Sequence, residues 1–240
     1  MATFVLIHSP IVGPLTWSSV AEELRLSGIK AIVPDLAYDV APKEPYWKLH
    51  AKSVGRALKS VPENEGLILA GHSGAGMLLP AIRQISGRAV AGYIFVDADI
   101  PEDGGSRLEI LRRELPQAAE EVYRALSAGE MLPAWGDADL REIIPEAELR
   151  QRVLADLRPH PLAFMEEAIP VFEGWPEAPC GYLSFKRAGS YRESVERAKR
   201  EGWAYAELDG AHFHILVDPH GVAEALVGLA ERLQGKGLTG

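Results

Sequence analysis

Apolar runs in this chain are short, nearly unbroken and separated by stretches of helical periodicity, a combination that few folds accommodate. Phe4 to His8 is rich in β-formers, and Trp17, Val20, Ala21 and Leu24 follow at helical spacing until Ser27-Gly28 stop the pattern. "AIVPDL" reads as the next strand. Trp47, Ala51, Val54 and Leu58 then share one helical face ahead of a third strand, "GLILAG". The pattern continues with "MLLPAIRQIS" as helix, "VAGYIFVDA", "CGYLSFK" and "WAYAELDG" as strands, and "GVAEALVGLAERL" as a closing helix. Continuous apolar strands alternating with helices are buried on both faces, so the expected architecture is an α/β fold with a doubly wound, mostly parallel sheet. Residues 104–175, rich in Leu, Glu and Arg at helical spacing, hold no convincing strand and are expected to form a helical cap inserted into a single domain spanning 1–240. In such sheets ligands bind beyond the carboxyl ends of the strands, so the loops after His8, Gly71, Asp97, Lys186 and Asp209 should converge on a site.

Composition narrows the partners. The 240 residues are long enough for one sizeable core, and a net charge of -9 would repel a phosphate backbone, so nucleic acid is not expected. No apolar run reaches the roughly 18 residues of a membrane span. Cys180 is the only cysteine, which excludes an internal disulfide, and "MATFVLIHSP" lacks the basic flank of a signal peptide; a cytoplasmic location is expected. The expected partner is a small-molecule substrate, with self-association into a homo-oligomer left open.

The stretch "LILAGHSGAGMLL" carries the chemistry. A serine on a sharp strand-to-helix turn projects its hydroxyl above the sheet, and its neighbours must be small because strand and helix approach closely there. Gly71-His72-Ser73-Gly74-Ala75-Gly76 meets that demand, with Ala75 where G-x-S-x-G has its second glycine. A phosphate-cradling turn is the competing reading. It would need Gly-Lys-Ser/Thr or G-x-G-x-x-G after an early strand, and the stretch supplies neither.

With "FVLIHSP", "VPDL", "GHSGAG", "YIFVDA" and "LDGAHFHILVDPHGVAEAL" in the same order, the chain resembles the α/β-hydrolase fold superfamily over nearly its full length. It looks most like the small capped plant esterase and hydroxynitrile lyase group. The resemblance implies Ser73 as nucleophile and His212, just after the last strand, as its base. The pair His212 and His214 also has H-x-H spacing, but no accompanying ligand cluster is recognisable, so neither metal nor cofactor is expected. His72 should flank the nucleophile and point away, His8 should bond locally, and His50, His160 and His220 read as cap or surface residues.

The orienting acid is less plain. Many relatives carry it after the penultimate strand, where "YLSFKRAGSYRESVERA" has no Asp and its first carboxylate, Glu193, fits a capping box with Ser190. Some relatives, including a group of haloalkane dehalogenases, carry it one strand earlier. There the chain offers Asp97, and Asp99 as the alternative. The resemblance also implies two oxyanion donors, the Gly74 N–H and a backbone N–H from the loop after the first strand. The matching loop residue is Pro10, which has no N–H, so the Ser9 hydroxyl is the expected substitute, with an Ile11 N–H presented by a shifted loop as the alternative. Trp135, Phe164, Met165 and Phe172 are candidates to line the pocket. The function these readings imply is a serine hydrolase for a small, mostly apolar ester or thioester, acting through an acyl-enzyme and weakened by Pro10. A ligand receptor or pseudoenzyme, or a lyase using the same Ser/His pair, is the alternative.

Overall fold

The computed structural model describes residues 2–235. Six strands, β1 (Thr3–Ile7), β2 (Ala31–Ile32), β3 (Leu67–Ser73), β4 (Val90–Ala98), β5 (Cys180–Phe185) and β6 (Ala204–Leu208), form one sheet in the order β2-β1-β3-β4-β5-β6. Every pairing is parallel, as the doubly buried strands require. The strand read from "AIVPDL" shortens to two paired residues; Pro34 has no N–H to donate to a ladder.

Strand alternation sorts the core into two layers. Phe4, Leu6, Ile68, Ala70, Ile94 and Val96 face α1 (Leu15–Leu26) and α11 (Pro219–Leu233), which follows the one-turn α10 (His214–Val217), and there Trp17, Leu24 and Leu226 are buried. Val5, Ile7, Leu67, Leu69, Tyr93 and Phe95 face α2 (Tyr46–Ala57), α3 (Leu79–Ser86) and α9 (Arg192–Arg200). Burial of this kind is worth about 25 cal/mol per Å² of apolar surface, so the two layers supply the main drive to fold.

Between β4 and β5 the chain forms α4 (Arg107–Glu114), α5 (Pro116–Ser127), α6 (Asp137–Leu140), α7 (Ala147–Ala155) and α8 (Leu162–Glu166), adding no strand to the sheet among the described residues. The insertion is tied back to the loops that follow β1 and β2. The Arg158 N–H donates to Ile11 O at 2.9 Å, and its guanidinium donates to Leu36 O at 2.6 Å and pairs with Asp35 at 2.8 Å. Those ties roof the carboxyl ends of the central strands.

Of the histidines expected in the cap or on the surface, His160 lies in the insertion, whereas His50 belongs to neither. His50 on α2 and His160 after α7 are buried, packed with Tyr38, Tyr46 and Phe164 in an aromatic cluster whose tightest pair is His160 on Phe164, with centroids 4.1 Å apart. The neutral imidazole is flat and apolar enough to fill an aromatic core, which hydropathy patterning alone does not reveal. His220 is exposed and bonds Glu23 from α11. No helix among the described residues is long and apolar enough to cross a membrane.

Candidate active site

Ser73 ends β3 at φ +57°, a left-handed conformation that costs a non-glycine residue on the order of 1–3 kcal/mol. The turn leaves no room at Gly76 and little at Gly71. A Cβ on Gly76 would lie 2.2 Å from Asp99 O, and one on Gly71 3.1 Å from the Ala75 backbone, whereas Ala75 itself fits fully buried. The indispensable small residue is therefore Gly76, one position beyond the usual pattern.

Asp97 owes its direction to a bulge. His72 pairs with Val96 and Ser73 with Ala98, so Asp97 is the extra residue, at φ +43°, and its side chain is re-aimed out of the ladder. Tyr182 of β5 repairs the disturbed backbone beside it. Its hydroxyl accepts from the Ala98 N–H at 3.1 Å and donates to Ala98 O at 2.8 Å. Asp97 Oδ2 then meets His212 Nδ1 at 2.6 Å, with the carboxylate almost fully buried and the imidazole about a fifth exposed. A buried carboxylate on Nδ1 fixes the tautomer and leaves Nε2 as the proton acceptor. Asp99 makes no bond to His212. Together with Arg107 and Glu114 it lines the cavity onto which Ser73 opens, where burial, then the Glu114 charge, pushes its carboxyl up to about 7.

His72 is more than a spacer. Its ring stacks on His212 at 4.6 Å and its Nε2 donates to His212 O at 2.9 Å, fixing both the ring and the backbone of that residue. Full burial, reinforced by the neighbouring His212, holds His72 well below the ordinary histidine range, so it stays neutral. His214 is separate from this pair. Its ring packs edge-on against Phe185 and its Nε2 is 3.8 Å from Asp218. Among the described residues no group of three or more His, Cys, Asp or Glu is arranged to hold a metal ion.

The loop after β1 flanks Ser73. His8 donates from Nδ1 to Ser9 O at 2.9 Å and accepts at Nε2 from the Leu36 N–H at 3.1 Å, which pins the loop to the one after β2. Ser9 Oγ lies 3.5 Å from where a side chain on Gly74 would begin, with Pro10 Cδ at 3.9 Å.

Tyr191 is the residue that sequence reasoning misses. Its hydroxyl is 3.0 Å from Ser73 Oγ and its ring stacks on His212 with centroids 5.6 Å apart. Among the described residues no hydrogen bond joins His212 Nε2 to Ser73 Oγ. The capping box expected at Ser190 and Glu193 does not form. Tyr191 takes the N-cap position at φ +61° without a side-chain cap, Ser190 bonds Ala188 O, and the Arg192 and Glu193 N–H groups donate to the Glu114 carboxylate at 3.2 and 3.0 Å. A carboxylate from the insertion does the capping, and no local motif could signal it.

Ser73, Gly74, Ser9, Pro10 and Tyr191 open onto a cavity of about 300 Å³ with mainly apolar walls. From the insertion, Ile110, Leu111, Leu115, Phe164 and Met165 line it. Trp135 and Phe172 are not among the lining residues; Trp135 packs edge-on against Phe213, with the core beneath.

A strained serine, a buried Asp–His pair and an apolar cavity above the carboxyl ends of a parallel sheet define an α/β-hydrolase-type site. The chain belongs to the alpha/beta hydrolase family, whose model matches residues 4–225. It is 23% identical over 253 residues to the carbendazim hydrolyzing esterase of a Nocardioides species, covering 95% of this chain and 100% of that one. Among solved structures, an extracellular alpha/beta-hydrolase from a Paenibacillus species superposes with a TM-score of 0.77 at 20% identity, covering 95% of this chain and 99% of that one. Polyneuridine aldehyde esterase superposes with a TM-score of 0.72 at 17% identity, covering 96% and 99%. These likenesses extend through the insertion.

Proposed function

We propose that the protein is a serine hydrolase that cleaves a small, mostly apolar carboxylic ester or thioester through an acyl-enzyme. The observation that carries this reading is the 2.6 Å contact of buried Asp97 with His212, whose ring is linked through the Tyr191 and His72 stacks to the strained Ser73 turn. Esterase activity in the Nocardioides relative supports it as well.

In this mechanism Ser73 Oγ turns from Tyr191 toward His212, gives its proton to Nε2 and attacks the carbonyl carbon. Asp97 keeps Nδ1 protonated and offsets the imidazolium charge. The oxyanion that forms is met by the Gly74 N–H and by the Ser9 hydroxyl, which stands in for the donor that Pro10 lacks. Collapse expels the alcohol or thiol, protonated by His212. Water, deprotonated by the same histidine, then attacks the acyl-Ser73 ester and releases the acid. Each cycle consumes one ester and one water.

A fluorophosphonate probe and a series of p-nitrophenyl esters test the reading. The wild-type protein should label once and hydrolyse short esters, and Ser73→Ala should abolish both while the protein remains folded. Equal labelling of wild type and Ser73→Ala would move the nucleophile elsewhere and overturn the assignment.

A further inference from the structure

Three non-glycine residues among those described have positive φ, and all three meet at this site: Ser73, Asp97 and Tyr191. Strain of this kind persists only where surrounding structure enforces it. For Tyr191 the enforcing group is Glu114, which holds the first N–H groups of α9 and so fixes the residue that precedes them. The result is a phenol hydroxyl 3.0 Å from Ser73 Oγ.

The sheet order tells from which side that hydroxyl arrives. Ser9 and Pro10 leave β1, which neighbours β3 on one side; Tyr191 follows β5, which lies beyond β4 on the other. Its ring accordingly stacks on His212, while Gly74 and Ser9 face each other across the turn. A donor on the His212 side reaches the oxygen that is about to leave, since that oxygen takes its proton from His212. The carbonyl oxygen, on the side of Gly74 and Ser9, is out of its way.

Resting on the serine hydrolase reading, we propose that Tyr191 is a further catalytic residue, whose hydroxyl bonds Ser73 in the free enzyme and is handed to the leaving-group oxygen when an ester binds. As the carbon–oxygen bond of the tetrahedral intermediate breaks, its electron pair passes to the leaving oxygen and the His212 Nε2 proton follows. The Tyr191 proton stays on its own oxygen and stabilises the growing charge by a hydrogen bond. Burial, followed by the nearby Asp99 charge, holds this phenol well above its ordinary range, so it remains a donor at every working pH. The site thereby favours oxygen esters with poor, alkoxide-like leaving groups, the case in which such help matters most.

The test compares ethyl and p-nitrophenyl esters of one acid, so that both pass through the same acyl-enzyme and kcat/KM reports the step that forms it. Tyr191→Phe should lower kcat/KM for the ethyl ester by about 10²-fold and for the p-nitrophenyl ester by far less, steepening the dependence on leaving group. Glu114→Ala, which frees the segment without touching the phenol, should steepen it in the same direction. Fluorophosphonate labelling of Ser73 should survive in both variants. An equal loss for the two esters, or a gain for either, would overturn the role of Tyr191 while labelling upheld the nucleophile. A wild-type protein that fails to label would overturn the hydrolase reading and this one with it.

Discussion

At the scale of single residues, the candidate site is made by side chains held in conformations they would not choose. Ser73 is legible in the sequence because its demand falls on its neighbours: only small residues allow β3 and the following helix to meet, and Gly71 and Gly76 record that demand locally. His212 is legible from its position after the last strand. Between the two acids the sequence offers only proximity, because a one-residue bulge, and no residue type, decides which carboxylate leaves the ladder toward His212. The two can be separated by activity. Asp97→Asn should lower kcat by about 10⁴-fold, since an amide on Nδ1 favours the wrong tautomer and leaves the imidazolium uncompensated. Asp99→Asn, at a carboxylate that makes no bond to His212 and lines the cavity beside Arg107 and Glu114, should cost far less. Similar losses in the two variants, read from steady-state kinetics, would dismiss Asp97 as the orienting acid.

At the scale of elements, most of the sheet and its flanking helices follow from periodicity, while the junctions between distant segments do not. The start of α9 is one such junction: a pattern that reads as its own cap is superseded by Glu114, 79 residues from Glu193 in the chain. The aromatic cluster joining α2 to the insertion is another. His50 is drawn down to about 2, by burial and then by the Arg107 charge, and His160 to about 4, chiefly by burial. Both are neutral when folded, yet an unfolded chain binds a proton at each below about pH 6.5, so stability falls as the pH drops through that value toward the folded ones. Thermal melts should therefore show a steep loss between about pH 7 and about pH 5, to which the buried neutral His72 also contributes, and His50→Phe should flatten it by removing one of these groups. An unchanged slope in the variant would mean that His50 is already protonated in the folded protein.

At the scale of the whole molecule, the sheet supplies a rigid floor and the insertion a roof tied down at Arg158, with the reacting groups in the gap. The floor was legible in the sequence and the shape of the roof was not, because helices that pack against loops leave a weaker periodic signature than strands buried on both faces. The same division governs how the site comes apart. Ser73 ends β3 and Asp97 sits at the bulge one residue before the end of β4, the two strands at the centre of the sheet, whose ladder amides are among the slowest to open. Tyr191 belongs to a segment whose first helical amides, on Arg192 and Glu193, are held by a single carboxylate on an exposed edge. Hydrogen exchange followed by mass spectrometry should find those amides opening far faster than β3 and β4, and Glu114→Ala should quicken them alone. Comparable protection across the two regions would contradict this. Otherwise the protein visits, without unfolding, a transient state in which Ser73 and Asp97 hold their places and the Tyr191 phenol has swung away, and with the roles proposed for these residues a fraction of its molecules at any instant would be catalysts of a different selectivity.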